Sequence, residues 1–175
     1  MARPIKKSEI EPKIVNAIDL LQSQHREVEK LFAALEKTTD RAVKARTQTF
    51  AELKRKLSAH AEIEENLLYP AGRPIDKDLT LEAYEEHDIM KEMLTKIART
   101  RPDDETFKAK VIVLKEVVEH HVKEEEKEFF PKLRRHLGKE RLEEIGTEMA
   151  GQFDKLVMAP RRNGTMSKRH LTRVK

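Results

Sequence analysis

Cysteine is missing from all 175 residues, which excludes disulfides, thiolate zinc sites, thiol nucleophiles and cysteine-held iron–sulfur clusters. Any metal in this protein must be held by nitrogen and oxygen. Tryptophan is missing too, and there are only two tyrosines and five glycines. With no alternating β-branched runs, little room is left for strands. No apolar run approaches the roughly 18 residues of a membrane span, and Met1 to Lys7 contains no apolar signal segment. A cytoplasmic protein without a membrane partner is expected.

The formal net charge of +4 misleads unless it is divided along the chain. From Ala159 to Lys175 there are six basic residues and no acid, which leaves 30 basic against 32 acidic side chains in the other 158 residues. The body is nearly neutral and the excess is a tail. Residues 158–175, with Pro160 and Gly164, read as a disordered basic segment. Contact with nucleic acid is weighed there against a solubilising terminus, and the terminus is preferred. Residues 1–12 read as flexible, and 13–157 as one domain large enough to bury a core.

Punctuation divides that domain into helices. Pro12 stands near a start, Thr39-Asp40 reads as a cap, Gly72-Arg73-Pro74 as a break, Pro102-Asp103-Asp104 as a break and a cap, and Gly138 as a stop. Helices are expected at about 13–37, 41–70, 78–100, 104–136 and 139–157. The expected fold is all-α, an up-down-up-down four-helix bundle with an additional C-terminal helix. Leu142, Ile145, Met149, Phe153 and Leu156 make that last helix amphipathic, fit to cover the bundle or to join two copies as a homodimer.

One pattern is written twice. His60 is followed by Glu64-Glu65 and then Tyr69-Pro70, and His121 by Glu125-Glu126 and then Phe130-Pro131, ten residues from histidine to proline both times. Each block is preceded by one more histidine in a helical pattern, His25 and His87. Duplicated ligand-type residues point to a metal site, and two related halves to a dinuclear one.

Periodicity turns these residues inward. Ile14, Ile18, Leu21, His25, Val28, Phe32 and Leu35 follow a four-three seam, and so do Phe50, Leu53, Leu57, His60, Glu64 and Leu67. Val111, Leu114, Val118, His121, Glu125 and Phe129 form a third stripe, and Ala83, His87, Met90, Leu94 and Ile97 a fourth. Burying an unpaired imidazole or carboxylate costs several kcal/mol, against a net stability of only about 5–15 kcal/mol. Six such groups need a common partner, and divalent cations supply one, since imidazole suits iron and zinc while carboxylates bridge two ions.

Depth agrees. In an up-down bundle two ligands share a level when the turn lies midway between them. The midpoints from His60/Glu64 to His87 and from His87 to His121/Glu125 fall at about 74 and 105, on the two proline breaks. The midpoint from His25 to His60/Glu64 is about 43, past Thr39-Asp40. That connection must be longer than it looks, or the first turn of the second helix irregular.

With its paired His-xxx-Glu-Glu blocks ending in aromatic–proline, the chain resembles the hemerythrin-like, HHE cation-binding family over about residues 13 to 135. The resemblance implies a non-heme di-iron centre in the middle of a four-helix bundle. Two iron ions, oxo- or hydroxo-bridged when oxidised, are the cofactor it implies, with zinc or manganese as substitutes. Carried over residue by residue, His25, His60, His87 and His121 are terminal nitrogen ligands, and Glu64 and Glu125 bridge. Oxygen-carrying members have a further histidine four residues after the one in the third helix. Lys91 occupies that place here, a departure that argues against oxygen carriage.

Rival sites fit less well. Ferritin-like proteins put a glutamate three residues before the liganding histidine, where this chain has Gln22, Leu57, Tyr84 and Val118. Neither the His-Glu-x-x-His of zinc proteases nor a glycine-rich phosphate loop occurs. Glu65 and Glu126 fall off the seam and read first as a solvated face, second as partners of a histidine N–H. Tyr84, one turn before His87, reads as a core tyrosine that could reach the metals. His120 is turned about 100° from His121 and reads as exposed.

The function expected from these residues is a non-heme di-iron protein that binds, senses or reduces oxygen, peroxide or nitric oxide. If it is an enzyme, it is a di-iron oxidoreductase. Four terminal imidazoles and two bridging carboxylates fill about eight of twelve positions on two octahedral ions, which leaves sites for water or substrate. The alternatives are an oxygen carrier or iron store without turnover, and a helical adaptor with a structural metal.

Overall fold

The computed structural model describes residues 14–158, all of them helical or connecting. The expectations for residues 1–12 and for the tail from 159 onward lie outside the described residues. Asn16 accepts from the Ile18 amide at 3.0 Å and starts α1, Ala17–Glu36. A second bundle helix begins as α2, Val43–Ile63, widens into a π-helical turn at Glu64–Leu68 and closes with α3, Tyr69–Gly72. Helix α4, Lys77–Arg99, is capped by Asp76, whose carboxylate accepts from the Leu79 amide and from Lys132 Nζ. Helix α5, Glu105–Glu124, is capped by Asp104 and runs into a second π turn at Glu125–Phe129. Helix α6, Phe130–Met158, breaks at Gly138, whose φ of 71° lies in the left-handed region that suits glycine.

Packing runs in a ring, α1 beside α2, α2 beside α4, α4 beside α5 and α5 beside α1. This is the up-down-up-down bundle, with the far part of α6 as the additional helix. No strand is present among the described residues, and no described helix is long and apolar enough to cross a membrane.

The first connection departs from its expected cap. The residue before α2 is Ala42, without a side-chain cap bond, and Asp40 serves another residue. Arg46, fully buried, donates to Asp40 Oδ1 at 2.7 Å, Thr38 Oγ1 at 3.0 Å and the Pro102 carbonyl at 2.7 Å, with its guanidinium over the Phe107 ring. One side chain thereby ties together the two turns at this end of the bundle. His25 precedes the end of α1 by 11 residues, whereas His60 stands 17 residues into α2. The six residues 37–42 therefore climb about 9 Å before the second helix descends.

Two apolar clusters fill the interior. One, with Val28, Phe32, Leu53, Leu94 and Leu114, lies toward the Arg46 end. The other gathers Ala17, Ile18, Leu21, Ile63, Leu68, Phe129, Phe130 and Leu133 with Leu142, Ile145 and Met149 of α6. Burying each Leu, Ile or Phe stabilises by about 1.5–3 kcal/mol. Between the clusters lies a belt of buried histidines and glutamates.

The additional helix covers the bundle by a close approach. A Cβ placed on Gly146 would stand 2.2 Å from the Val15 carbonyl oxygen and 2.3 Å from the Ala17 amide nitrogen. Backbone meets backbone there, at the entry to α1. Gly146→Ala should therefore destabilise by about 1–3 kcal/mol through overpacking, despite a helix-propensity gain of about 1 kcal/mol. A thermal melt checks the sign; a variant as stable as the parent would mean that α6 does not dock this closely.

Candidate metal centre

Both π turns begin at the glutamate of a His-xxx-Glu pair, and a proline explains each. Pro70 and Pro131 lack an N–H, and their rings crowd the carbonyl four residues back, so the backbone widens locally. The Tyr69 amide donates to the Glu64 carbonyl and the Phe130 amide to the Glu125 carbonyl, each five residues back. A wider turn rotates successive side chains by less than an α-helix does. Glu65 and Glu126 thereby face neighbouring helices, the second of the two orientations considered from sequence.

The six seam residues meet in the belt. His25, His60, His87, His121, Glu64 and Glu125 are all buried. Glu64 presents Oε1 to His60 Nε2 at 3.2 Å and Oε2 to His87 Nε2 at 3.4 Å. Glu125 Oε2 lies 3.4 Å from His25 Nε2 and 3.6 Å from His121 Nε2. Each carboxylate thus stands between histidines of different halves.

All four rings are held from outside by the other nitrogen. His25 Nδ1 donates to Glu126 Oε1 at 2.8 Å and His87 Nδ1 to Glu65 Oε1 at 2.8 Å. His60 Nδ1 donates to Gln24 Oε1 at 2.7 Å and His121 Nδ1 to Glu86 Oε2 at 2.8 Å. These acceptors assign the proton to Nδ1 and leave every Nε2 lone pair facing the belt. Arg26 pairs with Glu126 and Lys91 with Glu65, so two of the acceptors are themselves anchored.

A cation fits this arrangement. His25 Nε2, both oxygens of Glu64 and Glu125 Oε2 have no hydrogen-bond partner among the described residues, and each orphaned buried group costs about 1–3 kcal/mol. His87 Nε2 and His121 Nε2 face each other at 3.3 Å. Two ligands held at about 2.1 Å by one ion stand about 3.0–3.4 Å apart, so the repulsive pair becomes a ligand pair once a cation joins it. Two sets of ligand atoms converge: His25, His60, Glu64 and Glu125 in one, and Glu64, His87 and His121 in the other.

Sequence reasoning missed three contributors. The Tyr69 hydroxyl lies 3.1 Å from His87 Nε2, 3.5 Å from His121 Nε2, and donates to Glu125 Oε1 at 3.1 Å. Its signal was the aromatic–proline pair, whose counterpart Phe130 stacks on His25 with ring centroids 6.0 Å apart. Gln24 and Glu86 were the other two, and both immediately precede a lone histidine. Tyr84 does not reach the belt; it donates to the Glu65 carbonyl at 3.2 Å and packs edge-on against Tyr69. Lys91 points outward and grips Glu65 Oε1 at 2.6 Å.

The profile of the hemerythrin HHE cation-binding domain matches residues 16–133. This chain belongs to that family. A crystal structure of a hemerythrin HHE cation-binding domain-containing protein from Mycobacterium kansasii has the same fold at a TM-score of 0.73 and 28% identity, covering 82% of this chain and 88% of that one. The chain is also 32% identical over 143 residues to a protein of Nostoc sp. named a DNA nickase. That match covers 81% of this chain but spans only 40% of the relative.

Electrostatics divides the two carboxylates of this cation-binding domain. Burial, reinforced by Glu125, pushes the Glu64 carboxyl well above its ordinary value. Burial also pushes Glu125 up, but His121 and His25 outweigh it and hold that carboxyl below the usual range. Burial, helped by His25, lowers His60, and burial lowers His87 against the pull of Glu65. In the metal-free belt burial therefore favours the protonated form of Glu64 and the neutral imidazole of His60, whose one proton lies on Nδ1.

A divalent ion must displace that Glu64 proton. Uptake by the metal-free chain should release protons wherever the pH lies near or below the raised Glu64 value, and affinity should fall as pH drops through it. Calorimetric titration in buffers of different ionisation enthalpy reads the proton count. Uptake with no proton released would contradict this electrostatic reading.

Proposed function

We propose that the belt holds two iron ions bridged by Glu64 and Glu125, and that in the cytoplasm the centre binds and reduces a small oxidant: oxygen, peroxide or nitric oxide. The observation that carries the reading is the crossed pairing of carboxylates and histidines, His60 and His87 on Glu64, His25 and His121 on Glu125. His25 and His60 would hold one ion with Glu64 and Glu125, and His87 and His121 would hold the other with Glu64. Iron so bound supplies electrons and exchangeable coordination positions.

The protein supplies a proton on one side only. Tyr69, its phenol pushed well above the ordinary value by burial with Glu125 adding to the shift, stays protonated beside His87 and His121. Phe130 offers His25 only an apolar ring. Reduction of an oxidant consumes protons, and this asymmetry supports a substrate position on the Tyr69 side. Lys91, engaged with Glu65, adds no imidazole, which favours electron transfer over reversible carriage. Nicking belongs to the Nostoc relative by its name, and it is assigned to no residue of this chain.

Metal analysis of anaerobically prepared protein should find two iron ions per chain, and either Glu64→Ala or Glu125→Ala should lose both. One tightly held ion, or full occupancy in the variants, would sink the bridged pair. Tyr69→Phe should keep its iron yet slow peroxide reduction by roughly 10²-fold, the scale of a positioned general acid. Unchanged turnover at unchanged iron content would remove Tyr69 from the reaction.

A further inference from the structure

The two halves of the belt differ on their outer side. Beside His60 and Glu64 the chain has Ala59 and Ile63, both buried, Ile63 within the cluster that receives α6. The matching residues beside His121 and Glu125 are His120 and Glu124, and the His120 side chain is 56% exposed. His120 and Glu124 repeat the four-residue spacing of the buried pairs, one position earlier on α5.

Glu86 of α4 completes a cluster. Its Oε1 accepts from His120 Nδ1 at 2.8 Å, and His120 Nε2 lies 3.7 Å from Glu124 Oε1. One ligand atom from each of the three residues lies within 4.8 Å of the others. Glu82 and Glu128 add negative charge around Glu124. Ion pairs account for His120 with Glu86 and with Glu124, but not for the link of Glu86 to the belt.

Glu86 is common to the surface and the interior, since its Oε2 accepts from His121 Nδ1 at 2.8 Å. A narrow crevice runs below it, walled by Glu86, Glu124, His121 and Glu125 together with the apolar side chains of Leu79, Ala83 and Phe129. Buried Glu125 carries in Oε2 an oxygen without a hydrogen-bond partner. Glu86 therefore touches both the surface cluster and the belt.

We propose that Glu86, His120 and Glu124 form a surface site for a divalent first-row transition-metal ion, from which the ion passes along the crevice to the buried centre. An imidazole with two carboxylates suits such an ion. The passage is ligand exchange without a change of oxidation state, and any proton displaced from His120 leaves to solvent. The inference rests on the reading of the buried histidines and glutamates as metal ligands.

The test loads the full-length, metal-free chain with Co(II) alone under argon and follows its visible absorption by stopped flow. At low cobalt, His120→Ala and Glu124→Gln should fill the buried centre roughly ten-fold more slowly, the scale of local charge effects on association, and reach the same final number of ions. Exposed residues outside the cluster serve as controls: Glu119→Gln removes the same charge and His136→Ala the same ring, and both should load at the parental rate. Equal rates in all variants, or equal slowing in Glu119→Gln and Glu124→Gln, overturn the surface site. A parent chain whose buried centre takes no cobalt overturns this site and the proposed function together, whereas full loading at an unaltered rate overturns the surface site alone.

Discussion

Four imidazoles and two carboxylates buried in one layer cannot satisfy one another, and the rest of the structure is arranged around that deficit. Each imidazole has already spent its proton on an outer partner, and the single proton that burial favours on Glu64 can satisfy only one of the remaining acceptors. A partly satisfied polar layer in a low-dielectric interior is worse than an apolar one. The chain tolerates it because apolar clusters clamp the belt from both ends and because a cation converts the orphaned acceptors into ligands.

The outer contacts follow a rule that halves the information needed to build them. The residue after each belt glutamate holds the lone histidine, Glu65 on His87 and Glu126 on His25. The residue before each lone histidine holds the histidine of the neighbouring block, Gln24 on His60 and Glu86 on His121. Two short patterns, each used twice, orient four rings. The π turns belong to the same economy, since one proline per block widens the helix where both a ligand and an outer acceptor must leave it.

The seam was legible in sequence because four-three periodicity survives wherever the helix is regular, and His25, His60, His87 and His121 all lie in or just before regular stretches. The proline breaks fixed the depth of three helices for the same reason. Legibility faded where the backbone leaves the α geometry. Glu65 and Glu126 looked solvated because a 100° step was assumed inside π turns, and Tyr69 looked like punctuation because its role depends on the turn just before it. Asp40 was read as a cap from residue type alone, whereas the buried Arg46 guanidinium outcompetes the helix terminus for its carboxylate. Contacts set by a partner distant in sequence leave no local trace.

Symmetry in the ligands and asymmetry around them have different causes. Duplicated blocks give each half the same donors, but only one half can be covered by α6, because Gly146 lets that helix close on the entry to α1. On the covered side the outer positions are Ala59 and Ile63; on the other they are His120 and Glu124. Within the belt the same division recurs, with the Phe130 ring against His25 and the Tyr69 hydroxyl against His87 and His121. The exposed His120 and the Tyr69 hydroxyl thus fall on one half, while a cavity lined by Arg26, Glu29, Lys115 and Lys123 opens beside His25 on the other. The two faces of the belt therefore differ in chemistry, a phenol and an exposed imidazole on one and a charged cavity on the other.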